Sequence, residues 1–281
     1  MSTTTLPRSP SPTAEATKGT SAMVWTQLRA EVLRYQRVPE YFIGVVVLPI
    51  ILFAMFGLPN SGEVLPEGTT VVAFMFVSFA CYGVVSQALF SFGAELATER
   101  QKGWLRRLRA TPMPMWLYFT GKVALNLVFT AAILAGMALL GALAGDADFD
   151  PARLAATIGV LLLGTVIFSP MGSAIAYWAR PKAVSTIVNL VFLPLSFLSG
   201  FFFSLQMLPQ VLQDIAPWLP TFHFGQLAWT TMAPSEADRV AFGVPIAANL
   251  PLNIAVVAGW FLLCTVLTAW GYRRELDRER G

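Results

Sequence analysis

Charge is what this chain has least of. Aspartate, glutamate, lysine and arginine together make up 12% of its 281 residues, while 56% are hydrophobic. A soluble domain is about 25% charged and about 45–50% apolar, and a core of this length could not hide so much apolar surface. The scarcity excludes an ordinary soluble globule and points to an integral membrane protein. A mean hydropathy of +0.62 agrees. Cysteine and histidine are equally sparse. Cys81 and Cys264 both sit inside apolar runs, as small buried hydrophobes do. With His223 as the lone histidine and no His/Cys/Asp/Glu cluster, neither a disulfide framework nor a metal site is indicated. The formal net charge of +3 is too small to imply a nucleic-acid partner. Enzyme signatures are missing too: there is no Walker A loop, no HExxH, no GxSxG and no pair of aspartates within an apolar run.

Long apolar runs are abundant. Charge-free intervals cover 41–62, 68–94, 123–145, 154–179, 183–213 and 240–272. A helix needs about 20 apolar residues to cross a hydrocarbon core of about 30 Å. Six transmembrane helices are therefore expected, over 42–59, 70–94, 116–144, 154–178, 184–205 and 250–271. The runs are continuous rather than alternating, which argues against strands. Pro49, Pro170 and Pro194 fall inside them as kinks. With the N-terminus placed in the cytoplasm, all lysines and arginines except Arg153 and Arg239 lie on the cytoplasmic side. That asymmetry sets the expected orientation, with both termini inside.

The remaining segments organise around this frame. Residues 1–22, rich in Ser, Thr and Pro, read as a disordered cytoplasmic tail without a signal-peptide layout. Residues 23–40 read as an amphipathic helix in the inner interface, and 41–272 as the six-helix membrane domain. Residues 206–239, broken by Pro209, Pro217 and Pro220, fit short re-entrant helices at the outer interface, where Trp218 and Trp229 would sit and where His223 packs. Residues 273–281 are expected as a cytoplasmic tail.

None of the runs carries an ionisable residue near its middle. Ion-coupled transporters keep such groups at depth despite a cost of about 2.5–3.5 kcal/mol each. If this chain moves a solute uphill, the energy comes from another chain. Glu95 and Lys122 stand at span ends, within snorkelling reach of the interface. The interior polar residues are neutral, among them Gln87, Ser91, Asn126, Thr130, Asn189 and Ser196. Two readings stay open for them: hydrogen bonds between helices, or the lining of a path for an amphipathic substrate.

Against that background residues 95–112, ELATERQKGWLRRLRATP, stand out. Ala97, Gln101, Trp104, Leu105 and Leu108 would share one helical face, the arginines falling mostly elsewhere, with Thr111–Pro112 ending the helix. Such a helix either lies on acidic lipid heads or docks in a groove of a soluble partner. The run Glu99, Arg100, Gly103, Leu105, Arg106, Arg107, Leu108, Arg109, Ala110, Thr111, Pro112 and Met113, following a span that ends in Glu95, resembles the membrane subunits of type-2 ABC exporters, the drug and polysaccharide export permeases. The resemblance covers nearly the whole chain. Trp104 departs from it, standing where a smaller residue such as Thr is expected.

The resemblance implies that 95–112 is a coupling helix, contacting an ATPase subunit through Glu95, Glu99, Arg100, Gly103, Trp104, Leu105, Arg106, Arg107 and Arg109. It implies two ATPase copies that carry ATP and Mg, no cofactor on this chain, and a second identical or related permease in a bacterial inner membrane. The neutral interior favours hydrophobic or amphipathic cargo, such as a drug, antibiotic or lipid. The alternative is a self-contained channel or facilitator, which would leave the basic helix without a purpose.

Overall fold

A computed structural model describes residues 43–111, 114–244 and 249–280. The expected tail over 1–22 and interfacial helix over 23–40 lie outside the described residues. Regular structure among the described residues is helical, apart from one isolated bridge between Val64 and Thr70. A wide π turn, Ile43–Val47, leads into α1 (Leu48–Phe56). There follow α2 (Val71–Leu89), a second π turn (Phe90–Glu95), α3 (Leu96–Gln101), α4 (Trp104–Arg109), α5 (Met115–Ala144), α6 (Pro151–Trp178) and α7 (Pro181–Leu198). The chain closes with α8 (Gln210–Ile215), α9 (Pro220–Met232), α10 (Glu236–Phe242) and α11 (Leu250–Arg280).

Five helices are long and apolar enough to cross a bilayer: the rod Val71–Gln101, which runs α2 into α3 through the π turn, and α5, α6, α7 and α11. The first expected span appears as the shorter apolar stretch Val45–Asn60, at the edge of the described residues. The bundle is thus multi-pass and all-helical, with five full-length candidates where six spans were expected.

α2 is the axis of the bundle. From Val72 to Leu89 every residue but Met75 is buried. A helix that is apolar all round belongs inside a protein, and α2 is wrapped by α1, α5, α6 and α9. α6 meets the π turn almost backbone to backbone: a Cβ at Gly172 would sit 2.9 Å from the Ala88 carbonyl oxygen and 3.0 Å from the Gly93 nitrogen. Small residues permit that approach, as in membrane bundles generally. On its other side α6 packs along α11, where Thr268 donates to the Pro170 carbonyl at 3.0 Å.

Two boundaries differ from expectation. The fifth span was expected to reach 205, but α7 stops at Leu198. Gly200 adopts φ +80°, and the amides of Gly200 and Phe201 return to the carbonyls of Phe197 and Ser196 at 3.1 and 3.2 Å. This left-handed glycine stop overrides an apolar run that continues for five more residues. The last helix instead overshoots: α11 runs from Leu250 through Arg280, so residues expected as a tail are helical. Nothing in REL-type sequence near Glu275 breaks a helix, since it holds neither Gly nor Pro before the end.

The segment 206–239 does form short helices, but it is not uniformly interfacial. Trp218 is 76% exposed, whereas Trp229 is buried on α9 against Phe201, its indole nitrogen 3.3 Å from the Ser78 hydroxyl. α9 is thus part of the core. His223 lies between the Asn253 side chain at 2.6 Å and the Pro217 carbonyl at 2.8 Å, which ties α9 to α11. Buried Asp238 on α10 accepts from the amides of Glu67 and Thr69 at 2.7 and 3.2 Å, fixing the loop that precedes α2.

Candidate functional site

The basic segment is two helices, not one. α3 continues the second span as far as Gln101, and α4 starts afresh at Trp104. Gly103 sits between them at φ +68°, ψ +18°, a left-handed conformation that glycine enters without a Cβ penalty. The expected single amphipathic face is therefore broken at the glycine. Leu105 and Leu108 point α4 into the core, where both are buried. Gln101, Lys102, Trp104, Arg106 and Arg107 are exposed, with Trp104 at 40%. An exposed indole among basic side chains is suited to docking, because aromatic and arginine anchors carry much of the affinity at protein interfaces.

Behind this surface lies a buried ion cluster. Lys122 is 0% exposed, so it does not reach the interface as its position at a span end suggested. Its Nζ lies 3.2 Å from Glu95 Oε2 and 3.4 Å from Glu99 Oε1. The Tyr118 hydroxyl donates to the Glu99 carboxylate. Burying these charges is tolerable because each is paired and hydrogen-bonded.

The cluster is the foot of a longer ladder. Ser91 Oγ donates to Glu95 at 3.4 Å, and Asn126 Nδ2 donates to Ser91 Oγ at 2.9 Å. Gln87 Nε2 donates to the Asn126 carbonyl at 3.1 Å, and Thr130 Oγ1 donates to Gln87 Oε1 at 3.3 Å. Thr130 and Thr165 then meet at 2.9 Å, which brings in α6. Two stripes of four-residue spacing face each other in opposite directions: Gln87, Ser91, Glu95 and Glu99 on one rod, and Thr130, Asn126, Lys122 and Tyr118 on α5. Four residues of α-helix overshoot one turn by about 40°. The wider π turn at Phe90–Glu95 takes back part of that drift, which lets both halves of the stripe face α5.

Arg100 is held inside the chain rather than presented. Its guanidinium lies 2.8 Å from Glu275 on α11, donates to the Ala176 carbonyl on α6 and stacks 4.6 Å from the Tyr177 ring centroid. The residues expected at the partner interface thus separate into two groups. Trp104, Arg106 and Arg107 are exposed on α4, while Glu95, Glu99, Arg100 and Leu105 bind the segment to the membrane helices. Gly103 is the joint between them, and Arg109, half-buried, donates to the Leu105 carbonyl at 3.3 Å.

The six neutral residues weighed as a path lining do not share a surface. Gln87, Ser91, Asn126 and Thr130 are all buried in the ladder of a single chain. Ser196 is buried and bonds the Phe192 carbonyl within its own helix, and Asn189 is exposed on α7. The sequence reading did not connect Tyr118 and Thr165 to this group. Tyr118 continues the four-residue stripe of Thr130, Asn126 and Lys122, but Thr165 lies on α6, outside both stripes, and only the tertiary fold brings it to Thr130. Among the described residues no three His, Cys, Asp or Glu side chains gather as metal ligands.

An all-helical bundle this poor in charge, with five helices long and apolar enough to cross a bilayer, is that of a multi-pass membrane protein. A family profile described as ABC-2 type transporter matches residues 23–232. The match covers most of the chain, which therefore belongs to the ABC-2 type transporter family. Membership implies partnership with an ABC ATPase and with the membrane. The chain is similar to the putative transport permease YvfS of Bacillus subtilis (strain 168), 24% identical over 83% of this chain and 92% of that protein. It is also similar to the daunorubicin resistance ABC transporter permease protein DrrB1 of Streptomyces coeruleorubidus, 24% identical over 93% of this chain and 88% of that one.

Proposed function

We propose that this chain is the membrane half of an ATP-driven exporter and that α4 is its docking element for a separate ATPase. Two permeases, identical or related, and two ATPases form the working unit, with ATP and Mg bound by the partner. The membrane is a bacterial inner membrane and both termini are cytoplasmic, as the lysine and arginine asymmetry favours. Six spans make up the proposed fold, with the apolar stretch Val45–Asn60 belonging to the first.

The observation that carries this reading is the join at Gly103. On one side α4 offers Trp104, Arg106 and Arg107 to solvent; on the other, Glu99 is tied to buried Lys122 and through it to the ladder. A partner that pulls on α4 pulls on the second and third spans through an ion cluster, not through a loose loop. The polar ladder then serves as the transmission within each half, and the cargo path runs where two halves meet. Hydrophobic or amphipathic cargo suits the neutral interior, and the daunorubicin-resistance name of the DrrB1 relative supports the same class.

Co-purification tests the docking role. Co-expressed with the ATPase encoded beside it, the wild type forms a complex with stimulated ATP hydrolysis, and Trp104→Ala/Arg107→Glu loses at least about tenfold in affinity, as expected for two central anchors. A double variant that binds and stimulates like the wild type removes α4 from the interface.

A further inference from the structure

Two cavities meet at Tyr177. The first, about 510 Å³, is a groove between α5, α6 and α11 walled by Trp116, Phe119, Phe261 and Tyr272. The second, about 270 Å³, lies where the C-terminal ends of α6 and α11 meet and is walled by Arg100, Arg180, Arg274 and Arg278 with Trp178. Tyr177 lines both. Its hydroxyl is buried and has no hydrogen-bond partner.

The charges in the second cavity do not cancel. Glu275 is committed to Arg100 at 2.8 Å. Arg274 lies over the Trp178 ring at 5.5 Å, and Arg180, Arg274 and Arg278 make no ion pair among the described residues. Three uncompensated guanidinium groups around one space attract a phosphate, whose oxygens accept their fork of donors. The apolar groove alone would take any oily molecule, and the basic cavity alone any anion. Their adjacency on either side of one tyrosine, where a membrane helix passes from apolar to charged sequence, matches a molecule with a phosphate at one end and hydrocarbon behind it.

We propose that these two cavities form one binding site for an anionic phospholipid, with its phosphate among Arg180, Arg274 and Arg278 and an acyl chain along Phe119 and Phe261. Basic pockets between membrane helices bind anionic headgroups elsewhere for the same reason. The site has a consequence for the coupling segment. Arg100, the residue that fastens α3 to α6 and α11, forms part of its wall, so an occupying phosphate competes with Glu275 for that guanidinium. Only the choice of leaflet rests on the orientation proposed above.

The test needs neither ATPase nor transport, so it fails or succeeds independently of the exporter reading. The full chain, purified in detergent, is given equal amounts of dioleoyl phosphatidylglycerol and dioleoyl phosphatidylcholine and examined by native mass spectrometry. The wild type retains the glycerol lipid by about tenfold over the choline lipid. The exposed arginines can be changed without disturbing the core, and Arg180→Gln/Arg274→Gln/Arg278→Gln abolishes the preference while Arg153→Gln, remote from the site, keeps it. Phe119→Ala/Phe261→Ala lowers retention of the glycerol lipid, and excess inorganic phosphate leaves it bound. Equal retention of the two lipids by the wild type overturns the proposal without any variant. So does an undiminished preference in the triple variant, and displacement by inorganic phosphate reduces the site to a bare anion pocket.

Discussion

Lys122 carries the most consequential charge in the bundle because it has no route to water. It is fully buried beside Glu95 and Glu99, and removing it takes away the cation that both carboxylates share, Glu99 being buried and Glu95 half-buried. Breaking a buried pair of this kind costs roughly 3–5 kcal/mol. Lys122→Met therefore lowers thermal stability in detergent sharply, and Lys122→Met/Glu99→Gln recovers part of the loss because one of the two like charges is gone. If the double variant is less stable than the single one, the two residues are not coupled as their geometry requires. That the arginines of 95–112 fall away from its apolar face was legible from helical spacing, and Arg106 and Arg107 are exposed; Trp104, expected on the face of Leu105 and Leu108, is exposed while those two are buried. The ion cluster was not legible, because its members are read singly as span-end residues that escape to the interface. What joins them is the pairing of two antiparallel stripes, and pairing is a tertiary property that one helix's sequence does not carry.

At the scale of elements, two glycines have opposite duties. Gly103 stands in open space, with nothing within 4 Å of a Cβ placed there, yet its φ is +68°. Gly103→Ala therefore acts through the backbone alone, at about 1–2 kcal/mol for a left-handed non-glycine residue. It favours a continuous α3–α4 helix, which swings Trp104 off its present direction. The expected result is a permease that purifies normally but stimulates its ATPase less, read as ATP hydrolysis per assembled complex. Gly172 has an ordinary φ and no room: its Cβ would press on the backbone of the second span at 2.9 Å. Gly172→Leu forces α6 away from the π turn and costs more than the 1–3 kcal/mol or so typical of overpacking, whereas Gly159→Ala, on the same helix with nothing within 4 Å, is neutral or slightly stabilising. Loss of monodisperse protein for the first and not the second checks the contrast. The long helices themselves were legible as charge-free runs, since a bilayer demands them. Their ends were less so: a left-handed stop at Gly200 shortens α7, and the want of any stop lets α11 continue to Arg280. The π turn leaves no mark in composition at all, though it decides which residues of the second span face α5.

At the scale of the whole molecule, orientation decides what every surface means. On the orientation proposed above, α4 and the basic end of α11 share the cytoplasmic side, and the loops around Asp150 and Asp214 face the other. Cys81 and Cys264 are both buried, so the chain has a low background for thiol reagents. Arg106 and Asp214 are both exposed and suit single-cysteine reporters. With a membrane-impermeant maleimide, Asp214→Cys should label in intact cells, and Arg106→Cys only in inside-out vesicles. The reverse pattern would put α4 away from ATP and remove the exporter reading at once, because no cytoplasmic ATPase could reach Trp104. It would leave the phospholipid site standing but move it to the other leaflet, since Arg180, Arg274 and Arg278 remain beside the same aromatic groove. One labelling pair thus separates the two proposals: docking on α4 depends on which side it faces, and lipid binding depends only on what lies next to Tyr177.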